Sequence, residues 1–557
     1  MKRNTLFALL FILSALYFNC NIKNTIKSPV EGVKVILNSA PVETFVSGEF
    51  VDAKTGAIIE NKTIEIAIEG DDKNAVIDVG GAPTTLFTIK DGTVDFALAD
   101  GVVPSPDMPV ELVVTAKAKG YVATSQPCII RQSGIKTFRL VMMATDNLPD
   151  GVEVQKSNQG TTDNSGNVTA DVSIATQSGA SVTLPRGTSL VDAQGNPLRG
   201  GLSTNLTYYN AESMNALKAV PGGRSLVNNS LGWVSVEIKD ASGRSADNAN
   251  GDIPATVWFP ISRNAINPQT NAPFIEGDSV SIVKYHIDTG EIEFSGKGVC
   301  AYQPGPTSLR KGLSGNSFAS SDLGVQSPTE YIMGENVVAG AVINDPENEQ
   351  SCQDFEITVS GIPEGLPLFL LAIKDMGAGG LQNIIYEGIS YNSKFLFNDC
   401  DFSGDRYRIY LNNPEEAQFS DAVTDEFSVQ ASTTINGSLP PGYAPVSFAV
   451  SGICKDQIVV RPDLPIRYRM FGASNWTSTR LTQGKVTLWV KLGVVYEIKA
   501  EYEEEAGWVK VRFNDQTSYE ILEHNGDNGD TVAVPTVDYS TNPPTLEYQI
   551  DLGDYCS

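Results

Sequence analysis

Between Val182 and Ile261 apolar and polar residues alternate in short runs, each cut off by Gly, Pro, Asn or Asp. The runs are Ser181 to Leu184, Leu202 to Tyr209, Leu231 to Asp240 and Pro254 to Ile261, with Asp192 to Gly195 and Pro221-Gly222 between them. A period of two broken by turn-forming residues predicts strands joined by tight turns. Val234, Val236 and Ile238 fall on one face of their run, and Val257, Phe259 and Ile261 on one face of theirs. One face of each strand is therefore expected in a core and the other in water. The same period recurs at Ile64, Ile66 and Ile68 and at Phe138 to Met143. It returns at Val337 to Ile343, Phe355 to Val359, Leu366 to Ile373 and Arg406 to Leu411. It is clearest at Val486, Leu488, Val490 and Leu492, followed after Gly493 by Tyr496, Ile498, Ala500 and Tyr502, a pattern that predicts a hairpin. The fold class is all-β: tandem β-sandwich modules after a signal peptide and a flexible tether.

At 557 residues the chain exceeds one hydrophobic core, and the usual domain size implies several modules. Lys2 and Arg3, then an apolar run from Leu6 to Phe18, are too short to span a bilayer and fit an export signal. Cys20, directly after that run and Asn19, resembles the lipobox cysteine of bacterial lipoproteins, which implies acylation at Cys20. The expected order is a signal peptide (1–19), a lipid anchor and tether (20–42), a first sandwich (43–145) and a central sandwich (146–300). A linker (301–336), a small sandwich (337–412), a second linker (413–445) and a C-terminal sandwich (446–557) follow. The linkers are assigned from Ser, Gly and Pro richness. Met143 lies close to the central strands, so the first two modules are expected to form one rigid unit, with the C-terminal modules moving relative to it.

The first sandwich carries Val46 to Gly56, Asp91-Gly-Thr-Val-Asp-Phe, Leu112 to Tyr121 and a closing Phe138 to Met143. It resembles the carboxypeptidase regulatory-like domain, a transthyretin-type sandwich that accompanies catalytic domains without zinc ligands of its own. The central stretch, with Leu184-Pro-Arg-Gly-Thr, Asp192 to Gly195, Tyr208-Tyr209, Pro221-Gly222 and Asp288-Thr-Gly-Glu, resembles the β-sandwich module that follows such domains in bacterial surface lipoproteins and cartilage intermediate layer proteins. The resemblance implies a scaffold.

The formal charge of −26 would repel phosphate backbones, so nucleic acid is not expected as a partner. Six cysteines remain besides Cys20: Cys128, Cys300, Cys352, Cys400, Cys454 and Cys556. An even number outside the cytoplasm favours disulfides. Local pairing of Cys352 with Cys400 and of Cys454 with Cys556 follows from the module order, leaving Cys128 and Cys300 to bridge the first two modules or to stay free.

Catalytic signals are sparse. Two histidines, His286 and His524, stand in separate modules, whereas a metallocarboxypeptidase needs a clustered pair plus a carboxylate. A Gly-x-Ser-x-Gly elbow and a Gly-rich phosphate loop are both missing from the sequence. Asp399 to Gly404 matches half of an EF-hand loop but has Tyr410 at the twelfth position, and Asn525 to Asp530 reads as a Gly-rich turn, so no metal site and no cofactor is assigned. Tyr208, Tyr209, Trp233, Trp258, Trp476, Trp489 and Trp508 are candidates to stack on sugar rings, against the alternative that they pack in cores. The expectation is a non-enzymatic outer-membrane lipoprotein, facing the periplasm or the cell surface. It would act as a structural spacer and a protein-binding or adhesion scaffold, attached to the membrane by its lipid and meeting a protein or glycan of the envelope. The alternative is a carbohydrate-binding accessory lipoprotein that uses exposed aromatics.

Overall fold

A computed structural model describes residues 36–38, 42–222, 230–250 and 255–302 with short gaps, 323–328 and 337–342. Beyond these it describes the strands and turns within 354–412, 433–524, 536–538 and 545–553. The described residues form four β-sandwiches, and the chain is nearly all β.

The first sandwich pairs two four-stranded sheets. One runs Val76–Ile77, Thr93–Leu98, Thr44–Asp52, Gly134–Met142, with the last two strands parallel. The other runs Leu86–Ile89, Ile64–Glu69, Val110–Ala118, Thr124–Ile130. Alternate residues Val46 and Phe50, Ile64, Ile66 and Ile68, and Val94 and Phe96 meet in one core. Phe50 and Phe138 pack edge to face at 6.1 Å between centroids. Gly48 is required by this packing, because a Cβ there would overlap the Phe138 ring. The outer face of the first of these sheets is not wet as expected. Every residue of Thr93–Leu98 is buried, Asp95 among them, and Thr44 and Ser47 are buried on the strand beside it.

The central sandwich is a curled eleven-stranded sheet. Its order is Val152–Ser157, Gly200–Tyr209, Ser230–Asp240, Val337–Val342, Ser279–His286, Glu291–Tyr302, Leu323–Pro328, Thr256–Pro260, Ser181–Leu184, Val172–Ala175, with Thr161–Thr162 also on Gly200–Tyr209. The Glu153 carboxylate on one edge strand accepts hydrogen bonds from the amide (2.9 Å) and hydroxyl of Ser178, just beyond the other edge strand, so the two ends of the sheet meet. Val234, Val236, Ile238, Val257, Phe259 and Ile261 face the core as the alternation requires.

In the central sandwich two stretches differ from the expected boundaries. Leu323–Pro328, inside the expected 301–336 linker, pairs with both Thr256–Pro260 and Glu291–Tyr302. Val337–Val342, expected to open the small sandwich, instead pairs with Ser230–Asp240 and Ser279–His286 in the central sheet. Leu323–Pro328 has little strand character alone, whereas Val337–Val342 is the strand expected there but placed in a different sheet; each is held by two neighbouring edges that supply its backbone partners.

The third sandwich sets Lys394–Asn398, Asp354–Ser360 and Thr433–Asn436 against Gln382–Ser390, Leu368–Asp375 and Tyr407–Asn412. Thr433–Asn436 comes from the expected 413–445 linker and pairs in parallel with Asp354–Ser360.

In the last sandwich one sheet runs Thr477–Leu481, Leu464–Met470, Val495–Tyr502, Glu505–Phe513, Tyr519–His524. The other contains Val459–Arg461, Tyr443–Cys454, Thr545–Gly553 and Thr536–Asp538, with Lys485–Lys491 on the Tyr443 strand. The hairpin expected around Gly493 is not formed: Lys485–Lys491 belongs to one sheet and Val495–Tyr502 to the other. Gly493, at φ +81°, turns the chain across the core instead, so the two apolar faces meet between sheets rather than side by side. Ile36–Asn38, from the expected tether, adds in parallel to Val459–Arg461 at the edge of this sandwich.

Candidate functional site: a charged interface around the first sandwich

The first sandwich is covered over the outer face of its first sheet and over part of the second. On the Thr93–Leu98 and Thr44–Asp52 strands the residues that alternate with the core set, Ser47, Glu49, Thr93 and Asp95, point away from it. In the last sandwich the same alternation points Ile466, Tyr468 and Ile498 inward and Arg467, Arg469 and Lys499 outward. These two outer faces meet.

Arg467 is the centre of the contact. A guanidinium nitrogen lies 2.7 Å from the Asp95 carboxylate, with the two side chains 1% and 3% exposed. Arg467 also donates to the Val94 carbonyl (2.7 Å) and to the Ser47 hydroxyl (3.2 Å), and Ser47 bonds the Ser478 hydroxyl at 2.7 Å. This guanidinium therefore satisfies a buried carboxylate, a backbone carbonyl and a hydroxyl at once, the arrangement in which burying a charge is tolerated.

Around it, Lys499 pairs with Asp91, and Arg469 bonds Glu497 at 3.0 Å and approaches Glu60 at 4.0 Å. The Arg469 guanidinium sits 4.1 Å from the centroid of Trp476, whose amide donates to Glu49 at 3.0 Å. Arg480 donates to the Val42 carbonyl at 2.6 Å and lies over Phe45, which packs with Ile77 and Ala97 in a small apolar cluster on this outer face. The cations come from the last sandwich and the carboxylates they meet come mainly from the first. Arg and Trp are the residue types that most often dominate binding energy at such surfaces.

The central module meets the first sandwich just past the ends of Thr44–Asp52 and Gly134–Met142 and on part of the other sheet. Ala53 and Met143 share a buried cluster with Val152, Tyr209, Trp233, Val283, Tyr285 and Ile287. The Ser125 and Tyr285 hydroxyls bond at 2.8 Å in buried surroundings, and burial pushes the Tyr285 phenol up to about 12. The ion pair of Lys117 with Asp288, 3.0 Å apart and half exposed, adds little to this. The Gln382–Ser390 strand of the third sandwich comes against Gly134–Met142 and the short helix Met214–Lys218. The first sandwich is thus the hub that all three others touch. The expected mobility of the C-terminal modules is corrected accordingly: the last sandwich is fixed to the first by a buried ion pair.

The residues singled out in the sequence are not brought together. Cys128 and Cys300 are free, buried and in two different cores, so the bridge between the first two modules is not formed. Burial raises the Cys128 thiol, partly opposed by Lys136, and burial with the nearby Asp278 charge pushes Cys300 up to about 12, so both are unreactive thiols. Cys454 ends the Tyr443–Cys454 strand, while Cys20, Cys352, Cys400 and Cys556 lie outside the described residues, as do Asp399 to Gly404 and Asn525 to Asp530. His286 bonds Glu293 at 3.1 Å on adjoining strands, and His524 ends the Tyr519–His524 strand. Tyr208, Tyr209, Trp233, Trp258, Trp476 and Trp489 are all buried, and Trp508 is half-buried beside Lys510. Among the described residues no three His, Cys, Asp or Glu side chains group as metal ligands, and no helix is long and apolar enough to cross a membrane.

No family model matches the chain, and no curated protein matches it. Among solved structures it is similar to the C-terminal fragment of the pilus adhesin SpaC from Lactobacillus rhamnosus GG, at 8% identity over 36% of this chain and 97% of that one, with a TM-score of 0.16. It is also similar to the major pilin SpaD from Corynebacterium diphtheriae, at 8% identity over 91% and 97% of the chains and a TM-score of 0.14. A DUF3823 family protein from Parabacteroides merdae gives 11% identity over 37% and 96%, with a TM-score of 0.12. These values are too low to bear on what the chain does.

Proposed function

We propose that this protein is a non-enzymatic cell-envelope lipoprotein, held in the outer membrane through acylated Cys20 and serving as a structural spacer and a protein-binding or adhesion scaffold. The observation that carries the reading is the hub: four β-sandwiches joined through the first one, with Arg467 and Asp95 locked out of water between the first and the last. Such a body holds its surfaces at fixed separations, which is what a spacer needs, and its buried charges specify one arrangement of modules. The apolar run before Cys20 supports the anchor. The carbohydrate-binding alternative gains no support, because six of its seven aromatic rings are buried and offer no flat platform.

Mass spectrometry of the mature protein tests the reading. An N-terminal cysteine carrying acyl chains at position 20 is expected, together with loss of the protein from the membrane fraction on Cys20→Ser. An unmodified N-terminus at another position, or membrane retention of the Cys20→Ser variant, would overturn it.

A further inference from the structure

We propose that the acidic outer face of the first sandwich also accepts the last sandwich of a second copy of this chain, so that the intramolecular contact can be exchanged into an assembly. The inference rests on the interface and not on the lipid anchor.

Three observations carry it. The two partners close their cores separately: Val46, Phe50 and Phe96 belong to one cluster, and Val446, Tyr468 and Tyr496 to another. What lies between them is mostly ionic and hydrogen-bonded, so parting the two faces uncovers the small Phe45, Ile77 and Ala97 cluster and leaves both cores intact. Most of the charge at the contact is also of opposite sign on the two sides, with Arg139 beside Glu49 on the first sandwich and Glu497 beside Arg469 on the last as the exceptions. Asp91, Asp95, Glu49 and Glu60 stand on the first sandwich, and Arg467, Arg469, Arg480 and Lys499 on the last. Two first sandwiches repel each other, as do two last ones, so the only matching contact between copies is first to last, a heterologous pairing that closes into a reciprocal dimer or continues as a chain. Finally, the partners are far apart in sequence, with the whole central and third sandwiches between Met142 and Tyr443. Among the described residues the one short link is Ile36–Asn38, which pairs with Val459–Arg461 and leads straight on to Thr44–Asp52, so an exchange also releases this three-residue edge strand. In a single closed copy the contact benefits from an effective concentration on the order of millimolar, which keeps dilute wild-type protein closed.

Charge reversal separates contact within a copy from contact between copies. Asp95→Arg places two guanidinium groups face to face, and Arg467→Asp two carboxylates, so each variant loses the internal contact. Mixed, the Arg467 kept by the first variant meets the Asp95 kept by the second, and the reciprocal contact pairs the two reversed charges. Light scattering after size exclusion is expected to give single-copy mass for each variant alone and a doubling for the mixture. A mixture that stays at single-copy mass overturns the proposal. If circular dichroism shows either variant unfolded, the test passes to copies carrying Ser47→Cys or Ser478→Cys singly. These are mixed at high concentration in urea at a level that circular dichroism shows leaves both sandwiches folded, which weakens the docked contact, then diluted out of it under mild oxidation. A covalent dimer whose mapped bridge joins positions 47 and 478 is expected, and its absence overturns the proposal.

Discussion

Replacing Asp95 by Ala leaves the Arg467 guanidinium in the interface with its carboxylate removed. The two side chains are 1% and 3% exposed, so water cannot enter without parting the faces. Breaking a buried pair by removing one partner costs about 3–5 kcal/mol. Arg467 keeps the Val94 carbonyl and the Ser47 hydroxyl, which places this site near the lower figure. At about 1.4 kcal/mol per factor of ten, some 3 kcal/mol corresponds to a rise of roughly two powers of ten in the population of the undocked form. The two cores are separate, so the loss falls on docking and not on the folding of either sandwich. Hydrogen exchange followed by mass spectrometry is the assay. The amide of Trp476, which donates to Glu49 across the contact, should exchange about a hundredfold faster in Asp95→Ala, read on short overlapping peptides, while the central Ser230–Asp240 strand should not change. Glu520→Ala is the control, because the Arg512–Glu520 pair is 39% and 53% exposed and worth less than ~1 kcal/mol. If Asp95→Ala accelerates exchange no more than Glu520→Ala does, the reasoning about burial is wrong. Asp95→Leu combined with Arg467→Met should recover most of the protection, since an apolar pair carries no stranded charge.

Two further outcomes follow from single residues. Burial raises the Asp240 carboxyl, but hydrogen bonds from Ser242 and Arg244 outweigh that effect and hold it well below the usual range, so its contribution is present above the unfolded value near ~3.9 and is lost as pH falls below it. The central sandwich should therefore lose stability in acid melts below about pH 4, and Asp240→Asn should flatten that dependence; an unchanged slope would remove Asp240 as its source. Gly48→Ala drives a methyl into the Phe138 ring and should cost about 1–3 kcal/mol in denaturant melts of the first sandwich, whereas Gly56→Ala, with open space around it, should leave that packing undisturbed and cost only its left-handed backbone strain.

The core of each sandwich was legible in the sequence because a strand of period two must bury one face. Ile64, Ile66 and Ile68, Val234, Val236 and Ile238, and Tyr496 and Ile498 are all inside. The opposite faces were not legible. Thr93 and Asp95 alternate with Val94 and Phe96 just as solvent-facing residues do, and alternation cannot tell a wet face from one covered by another module. Nothing in the sequence around Arg467 and Arg469 points to their partners, since Asp95 stands more than three hundred residues earlier. The turn at Gly493 shows a second limit: two apolar faces joined by a turn fit a hairpin and a crossing between sheets equally well, and only the partner strands decide. Leu323–Pro328 shows a third, for its pairing depends on edges already in place on both sides.

The central claim is that the last sandwich docks on the first within one molecule. The Ser47 and Ser478 hydroxyls are 2.7 Å apart at that contact, close enough for a pair of cysteines to join with little backbone movement. The doubly substituted protein, Ser47→Cys with Ser478→Cys, should form this bridge under mild oxidation at high dilution, read by peptide mapping without reduction, while its mass remains that of a single copy. Recovery of positions 47 and 478 as unlinked thiols under those conditions would contradict the account.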